Sequence, residues 1–399
     1  MLLAGVALVA LGRLAALTVL SFVGVALLAL VVGVLVSLLL RPVDVVVSRR
    51  WSPGRGTAGR PLVETLRVAA PRRGAGTVVL AETLPWGGDP PASVVTLPAG
   101  GSVQLPLRLE DVPRGRHAVG PLRVDLVEAL GLGRRPVALG GTTELVVVPE
   151  GDSAGGAGRS TLGEGALRRH EHRASGGEDD PVTREYRRGD PLRRVHWRAT
   201  ARQGDLMVRQ EEQHSPPVVR VVLATGAAGW ADLREGGPVV ASDAFEWAVS
   251  VVATLGVHLA RTGSAVRVSS LDGRHLAGHE GDQVDGLLEE LADVGLDDDG
   301  PVGPAAAGRQ EPVVVVVSSA TPADLDALAR LRPAGVRGSA LVVDPPLAFT
   351  ATGRSEVPPV PPAEVAARLD ADRWRVHRAA PGEDRVAALL AAGAWRARA

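Results

Sequence analysis

Residues 14 to 40 run for 27 positions without a charged side chain. As a helix this stretch spans about 40 Å, more than the roughly 30 Å of a bilayer's hydrocarbon. A core helix of that length would show a polar face, and none is present, so the stretch predicts a transmembrane span. A cleaved signal peptide fits poorly: the run is too long and no small-residue cleavage site follows it. Residues 1 to 12 are also apolar but reach only about 18 Å, and Arg13 separates them from the long run. They are either an interfacial lead-in or one arm of a hairpin with Arg13 in its turn. Beyond Leu40 come Arg41, Arg49, Arg50, Arg55 and Arg60, with Asp44 the only acid between them. By the positive-inside rule this flank, and the soluble bulk after it, faces the cytoplasm. Residues 1–40 are therefore assigned to a transmembrane segment or hairpin and 41–60 to a basic juxtamembrane linker.

Composition narrows the chemistry of the remainder. The 399 residues contain no Cys, Lys, Asn or Ile, so all 44 basic side chains are Arg. Absent Cys excludes disulfides, Cys-ligated zinc, thiolate nucleophiles and iron–sulfur clusters. Absent Lys excludes Schiff-base chemistry and a Walker A lysine, and absent Asn excludes N-glycosylation. The missing Lys, Asn and Ile share AT-rich codons, as expected of a high-GC bacterial gene. A formal net charge of −1 speaks against a dedicated nucleic-acid binder.

Residues 61–150 alternate in short β-branched runs, among them LVETLRVAA, SVQLPLRL and TTELVVVP, separated by Gly and Pro. This pattern predicts an immunoglobulin-like β-sandwich. Within it, Arg114, Gly115, Arg116 and Gly120 fit a turn with charged flanks better than a binding loop. Residues 151–180 are rich in Gly, Ser and charge and read as a flexible linker, with His170 and His172 solvated rather than metal-bound.

Residues 181–215 form an Arg-rich unit, REYRRGDPLRRVHWRATARQGDLMVRQEE at its centre. Its pattern is strand, short helix, strand. Asp190 followed by Pro191 predicts an N-cap and first helical position, with the helix starting at Leu192, and Gly204 predicts a left-handed C-cap. Eight Arg crowd the unit, at 184, 187, 188, 193, 194, 198, 202 and 209, beside Glu185, Asp190, Asp205 and Glu211. Arg–carboxylate pairs that lock the unit to its neighbours are the structural expectation; a partner or anion surface is the functional one. His196 fits a buried, hydrogen-bonded residue beside Trp197 better than a general base. Tyr186, the chain's only Tyr, and Met207, its only Met besides Met1, both fall here. In a chain purged of such residues, their survival marks positions that resist replacement.

This segment resembles the signature of the bacterial domain-of-unknown-function family 58. The positions that carry the resemblance are Arg184, Glu185, Tyr186, Gly189, Asp190, Arg193, Arg194, His196, Trp197, Ala201, Arg202, Gly204, Leu206, Val208 and Arg209, with Val195 where Ile is usual. The resemblance implies a membrane anchor, a β-sandwich and a C-terminal von Willebrand A-like domain. It also implies association with MoxR-type AAA+ ATPases and other membrane proteins in envelope-related assembly, with exposed Arg such as Arg198 on the partner surface.

Residues 216–399 alternate buried strand patterns with amphipathic helices, such as PVVVVVSSA followed by TPADLDALARLRP, and predict a doubly wound α/β domain. Von Willebrand A-like domains often hold Mg²⁺ at the tip of the first strand through an Asp and two Ser. Ala224, Gly226 and Ala228 stand at those places, so no metal and no other cofactor is expected. The resulting expectation is a membrane-anchored cytoplasmic scaffold or adaptor without catalytic residues. The alternative is an enzyme acting on an anionic substrate through His196, Asp190 and the Arg cluster.

Overall fold

A computed structural model describes residues 1–40, 45–70, 76–88, 90–128, 131–151, 183–186, 195–209, 217–230, 232–233, 242–279, 284–297, 311–332, 335–336, 338–345 and 358–394. The linker 151–180, with His170 and His172, lies outside them apart from Gly151.

The apolar N-terminus forms two packed helices, α1 (Leu2–Leu14) and α2 (Thr18–Leu40). Arg13 lies in the last turn of α1, and the chain reverses through Ala16 at a φ of 54°. Of the alternatives for residues 1–12, the helical hairpin is the one formed. Glycines let the backbones approach: a Cβ at Gly24 would lie 2.7 Å from the Val9 nitrogen, and one at Gly12 2.6 Å from the Ser21 nitrogen. Small residues at such a seam are what close helix packing in lipid requires. Among the described helices, α2 alone has the length and apolarity to cross a membrane. Only 11% of its most apolar window is buried, which sets it apart from a core helix and leaves its surface free to meet lipid.

A β module follows: β1 (Val46–Ser52), β2 (Gly56–Thr57), β3 (Leu62–Ala70), β4 (Gly76–Ala81), β5 (Ser93–Leu97), β6 (Gly101–Leu109), β7 (Gly115–Val119), β8 (Leu122–Val127), β9 (Arg134–Leu139) and β10 (Thr143–Val148). The sheets run β1-β3-β6, β2-β10-β7 and β5-β4-β8-β9. Alternation decides the inward face. Leu66 and Val68 of β3 meet Val78, Leu80, Leu97, Leu122 and Val124 of the four-stranded sheet in one core.

β1 and β2 occupy part of the stretch that the sequence assigns to a juxtamembrane linker, and the difference has a physical cause. Arg49 looks like an exposed positive flank, yet its side chain is 1% exposed. Its guanidinium lies 3.1 Å from Glu82 and 3.6 Å from Glu64, and donates to the carbonyls of Gly140 and Gly141 at 3.3 and 3.2 Å. A buried charge survives when paired and hydrogen-bonded, and here that pairing ties β1 into the module.

The C-terminal part is an α/β unit. Its strands are β13 (Val218–Leu223), β14 (Ala265–Ser269), β15 (His275–His279), β16 (Val313–Val317), β17 (Gly338–Val343) and β18 (Arg375–Ala379). They form one sheet in the order β15-β14-β13-β16-β17-β18, in which only β15 runs antiparallel to its neighbour. The helices are α4 (Asp243–Arg261), α5 (Val284–Ala292), α6 (Pro322–Leu331), α7 (Pro362–Ala371) and α8 (Arg385–Ala391), with α3 belonging to the signature described below. Ser242 caps α4 by accepting from the Phe245 N–H at 3.0 Å, and Thr321 opens α6 in a capping box with Asp324. Every residue of β16 is buried, as a central parallel strand requires.

Candidate functional site

In the signature, β11 (Thr183–Glu185) pairs antiparallel with β12 (Met207–Arg209), placing Thr183 opposite Arg209 and Glu185 opposite Met207. Arg184 and Arg209 lie on these strands. The helix α3 (Trp197–Gln203) joins the unit. It begins after Val195, which is extended and bridges Val208. His196 then becomes the N-cap: its Nδ1 accepts from the Ala199 N–H at 3.1 Å. The expected cap at Asp190 falls on a residue outside the described ones. Gly189, Asp190, Arg193 and Arg194 lie outside the described residues.

Thr200 ties helix to strand. Its hydroxyl donates to the His196 carbonyl at 3.2 Å and accepts from the Met207 N–H at 3.0 Å. The His196 N–H reaches the Met207 carbonyl at 2.8 Å, and the Tyr186 N–H the Leu206 carbonyl at 2.8 Å. Gly204 ends α3 in the left-handed region, at a φ of 84°, as predicted. Val195, Met207 and Val208 are buried. Tyr186 and His196 are half-buried, and Glu185 is exposed. His196 is thus hydrogen-bonded as expected, but it is not fully enclosed.

The outer face of α3 is different. None of its residues is buried. Trp197 is 69% exposed, and Arg198 and Arg202 are exposed beside it with no ion pair among the described residues. Among the described residues these two Arg present a cationic face beside Trp197.

The tip of β13 is closed by its own chain. A 3-10 turn, Ala227–Gly229, follows the strand. Ala227 N–H donates to the Asp297 carbonyl and Asp297 N–H to the Thr225 carbonyl, at 3.0 and 2.8 Å. Trp230 folds back so that its indole N–H donates to the Ala224 carbonyl at 3.2 Å, and its ring meets Phe245 edge-on at 5.3 Å. Ala224, Gly226 and Ala228 offer no side-chain oxygen here. Among the described residues no cluster of three or more His, Asp or Glu is placed to hold a metal.

Sequence reasoning missed the residues that join the two soluble parts. Among the described residues the contacts between them come from the β module. Arg114 is 5% exposed and forks onto Glu246 of α4, while its third nitrogen reaches the carbonyls of Leu291 and Ala292 in the last turn of α5. Arg116 pairs with Asp293 and Glu144, at 2.9 and 3.2 Å. Arg55 pairs with Asp285, and Glu150 bridges Arg60 and Arg385, at 2.8 and 2.7 Å. Burial raises the Glu150 carboxyl, but the hydrogen bonds from Arg385 and Arg60 outweigh it and hold the group below its ordinary range. The only local signal was an Arg-Gly-Arg turn, which says nothing of a partner more than a hundred residues away.

No curated protein matches the chain. Residues 182–276, from the signature through α4 to β15, match the family model described as Protein of unknown function DUF58, so this segment is similar to that family.

Proposed function

We propose that the chain is a membrane-anchored scaffold whose soluble parts face the cytoplasm and whose α3 face docks a protein partner. The partner that the family resemblance suggests is a MoxR-type AAA+ ATPase engaged in envelope-related assembly. The observation that carries the reading is the exposure of Trp197 next to Arg198 and Arg202. Trp and Arg dominate the hot spots of protein interfaces, and here a cap, a hydroxyl bridge and a left-handed stop hold them on a short, ordered helix. The test is recovery of partners from native membranes with the tagged full chain. An ATPase should be captured by the parent and lost with Arg198→Glu and Trp197→Ala. Capture that is unchanged by both substitutions, or no ATPase in any eluate, would count against the scaffold.

Counting strands along the α/β unit, the order is 3-2-1-4-5-6 with the third antiparallel, which suits a von Willebrand A-like domain. The shared core of two sheets suits an immunoglobulin-like sandwich. The orientation reading still has Arg50, Arg55 and Arg60 near the membrane, though Arg49 is neutralised inside the β module and Arg55 and Arg60 are also paired.

The competing reading is an enzyme that uses His196 and Asp190 on an anionic substrate. His196 Nδ1 is already engaged with a backbone N–H, which leaves Nε2 as the one ring atom for chemistry and favours a positioning role.

A further inference from the structure

The end of α2 is not bare. The β8–β9 hairpin lies against it. The hairpin reverses through Gly131, at a φ of 70°, and closes with the Glu128 N–H on the Gly133 carbonyl at 3.1 Å. A Cβ at Gly133 would lie 2.7 Å from Leu38 Cδ1 and 3.0 Å from Val34 Cγ1. Arg135, two residues on, donates from Nη1 to the Leu38 carbonyl at 2.9 Å. That carbonyl is one of the last four of the helix, which no intrahelical donor can satisfy, and a cation there also suits the helix dipole.

The contact sets a depth. α2 has 23 residues and is about 35 Å long, some 5 Å more than the hydrocarbon of a bilayer. Val34 lies about 9 Å before the helix end, inside the boundary of the acyl chains if α2 is centred. A hairpin tip that touches both Val34 and Leu38 therefore sits at the level where headgroups meet acyl chains. Leu132, at that tip, is 45% exposed. Arg134 beside it is exposed and makes no ion pair among the described residues. An apolar side chain at the boundary with a cation just outside it is the arrangement of an interfacial anchor.

We propose that the β8–β9 hairpin is a second membrane-contact element, in which Leu132 enters the boundary of an anionic phospholipid surface and Arg134 pairs with lipid phosphate. This rests on the reading of α2 as a membrane anchor. It adds that the β module is set onto the bilayer in one orientation, rather than swinging on a tether, which would fix the height of α3 above the membrane.

The chain has no Cys, so single labels are available without removing anything. The full chain would be reconstituted in vesicles of phosphatidylcholine, with and without phosphatidylglycerol. Nitroxides would be placed by Leu132→Cys, by Val25→Cys on the lipid-facing side of α2, and by Val94→Cys on the exposed face of β5. In the anionic vesicles the label at 132 should be several-fold more shielded from an aqueous nickel relaxant than the label at 94, and approach the label at 25. The shielding should fall without phosphatidylglycerol, and Arg134→Gln should abolish that dependence on lipid. A label at 132 as nickel-accessible as the one at 94, with 25 shielded, overturns the hairpin contact alone. Shielding indifferent to lipid charge overturns the role of Arg134. A nickel-accessible label at 25 sinks the membrane anchor itself, and the hairpin proposal with it.

Discussion

Arg114 and Glu246 form a forked pair, Nε and Nη2 each 2.9 Å from one carboxylate oxygen, and it links the β module to the first helix of the α/β unit. The Arg side is sealed, while the Glu side is 45% exposed, so the gain is smaller than for a fully enclosed pair. The two carbonyl bonds in the last turn of α5 add to it.

Arg114→Ala should cost about 2 kcal/mol, the loss of a charge-assisted fork plus carbonyls left without their donor. Arg114→Lys should recover little of this, because an ammonium cannot reach Glu246 and α5 together. Glu246→Gln should cost less than Arg114→Ala, since the carbonyl bonds remain. Thermal unfolding of the full chain in detergent checks the ranking. If Lys restores full stability, the fork geometry is unimportant.

Glu64 gives the β module a pH dependence. Burial, then the neighbouring Glu82 charge, raise its pKa from 4.5 to about 7, against the opposing pull of Arg49. The folded chain thus holds this proton more tightly than the unfolded one. Its stabilising effect is complete below the ordinary carboxylate range and erodes as pH climbs to about 7. The total loss is on the order of 3 kcal/mol, at about 1.36 kcal/mol per unit. Glu64→Gln, which keeps the shape and removes the titration, should flatten the decline. Unfolding measured from pH 5 to pH 8 in parent and variant checks it; equal slopes would remove Glu64 as the cause.

At His196, Asn should substitute and Ala should not. Asn caps helix N-termini well, and loss of a cap costs about 1 kcal/mol. Hydrogen exchange at the Ala199 amide reads the cap directly: faster in His196→Ala, near parent in His196→Asn. If partner capture also survives His196→Asn, the residue positions Trp197 and Arg198. If capture fails while exchange is unchanged, the imidazole itself is needed.

What the sequence made legible depended on how far a signal had to reach. In β3 the alternate positions Leu62, Leu66, Val68 and Ala70 face inward, as a period of two predicts, but Glu64 lies on the same face and only its neighbour Arg49 explains it. β16 is five consecutive Val, which only a strand buried on both faces explains. Gly204 stops α3 by its own backbone freedom. β15 and β18 were not legible: HLAGH and RVHRA lack apolar runs because both strands lie at the sheet edges, where one side is open. β1 was hidden because its Arg49 is inside, a placement decided by Glu64 and Glu82 on other strands. At α3 two local signals competed. Asp190–Pro191 reads as a helix start in the sequence, while the bridge of Val195 to Val208 keeps Val195 extended and His196 caps the described helix. The exposed Trp197 face could not be read from periodicity in a helix of seven residues.

The N-terminal hairpin offers a matched comparison within one helix. A Cβ at Gly24 would meet the backbone of α1, 2.7 Å from the Val9 nitrogen and 2.8 Å from the Gly5 carbonyl, whereas Gly33 has nothing within 4 Å. Backbone cannot step aside as a side chain tip can, so Gly24→Leu must part the two helices and forfeit their packing. Both substitutions change helix propensity and hydrophobicity alike, which isolates the seam. Gly24→Leu should destabilise the hairpin by about 1–3 kcal/mol, the usual cost of overpacking. Gly33→Leu should be neutral or slightly stabilising, since Gly is a poor helix former. Proteolysis of the reconstituted chain, read at the turn around Ala16, separates the two. Equal protection in both variants would mean that α1 and α2 do not meet along Gly5, Gly12 and Gly24.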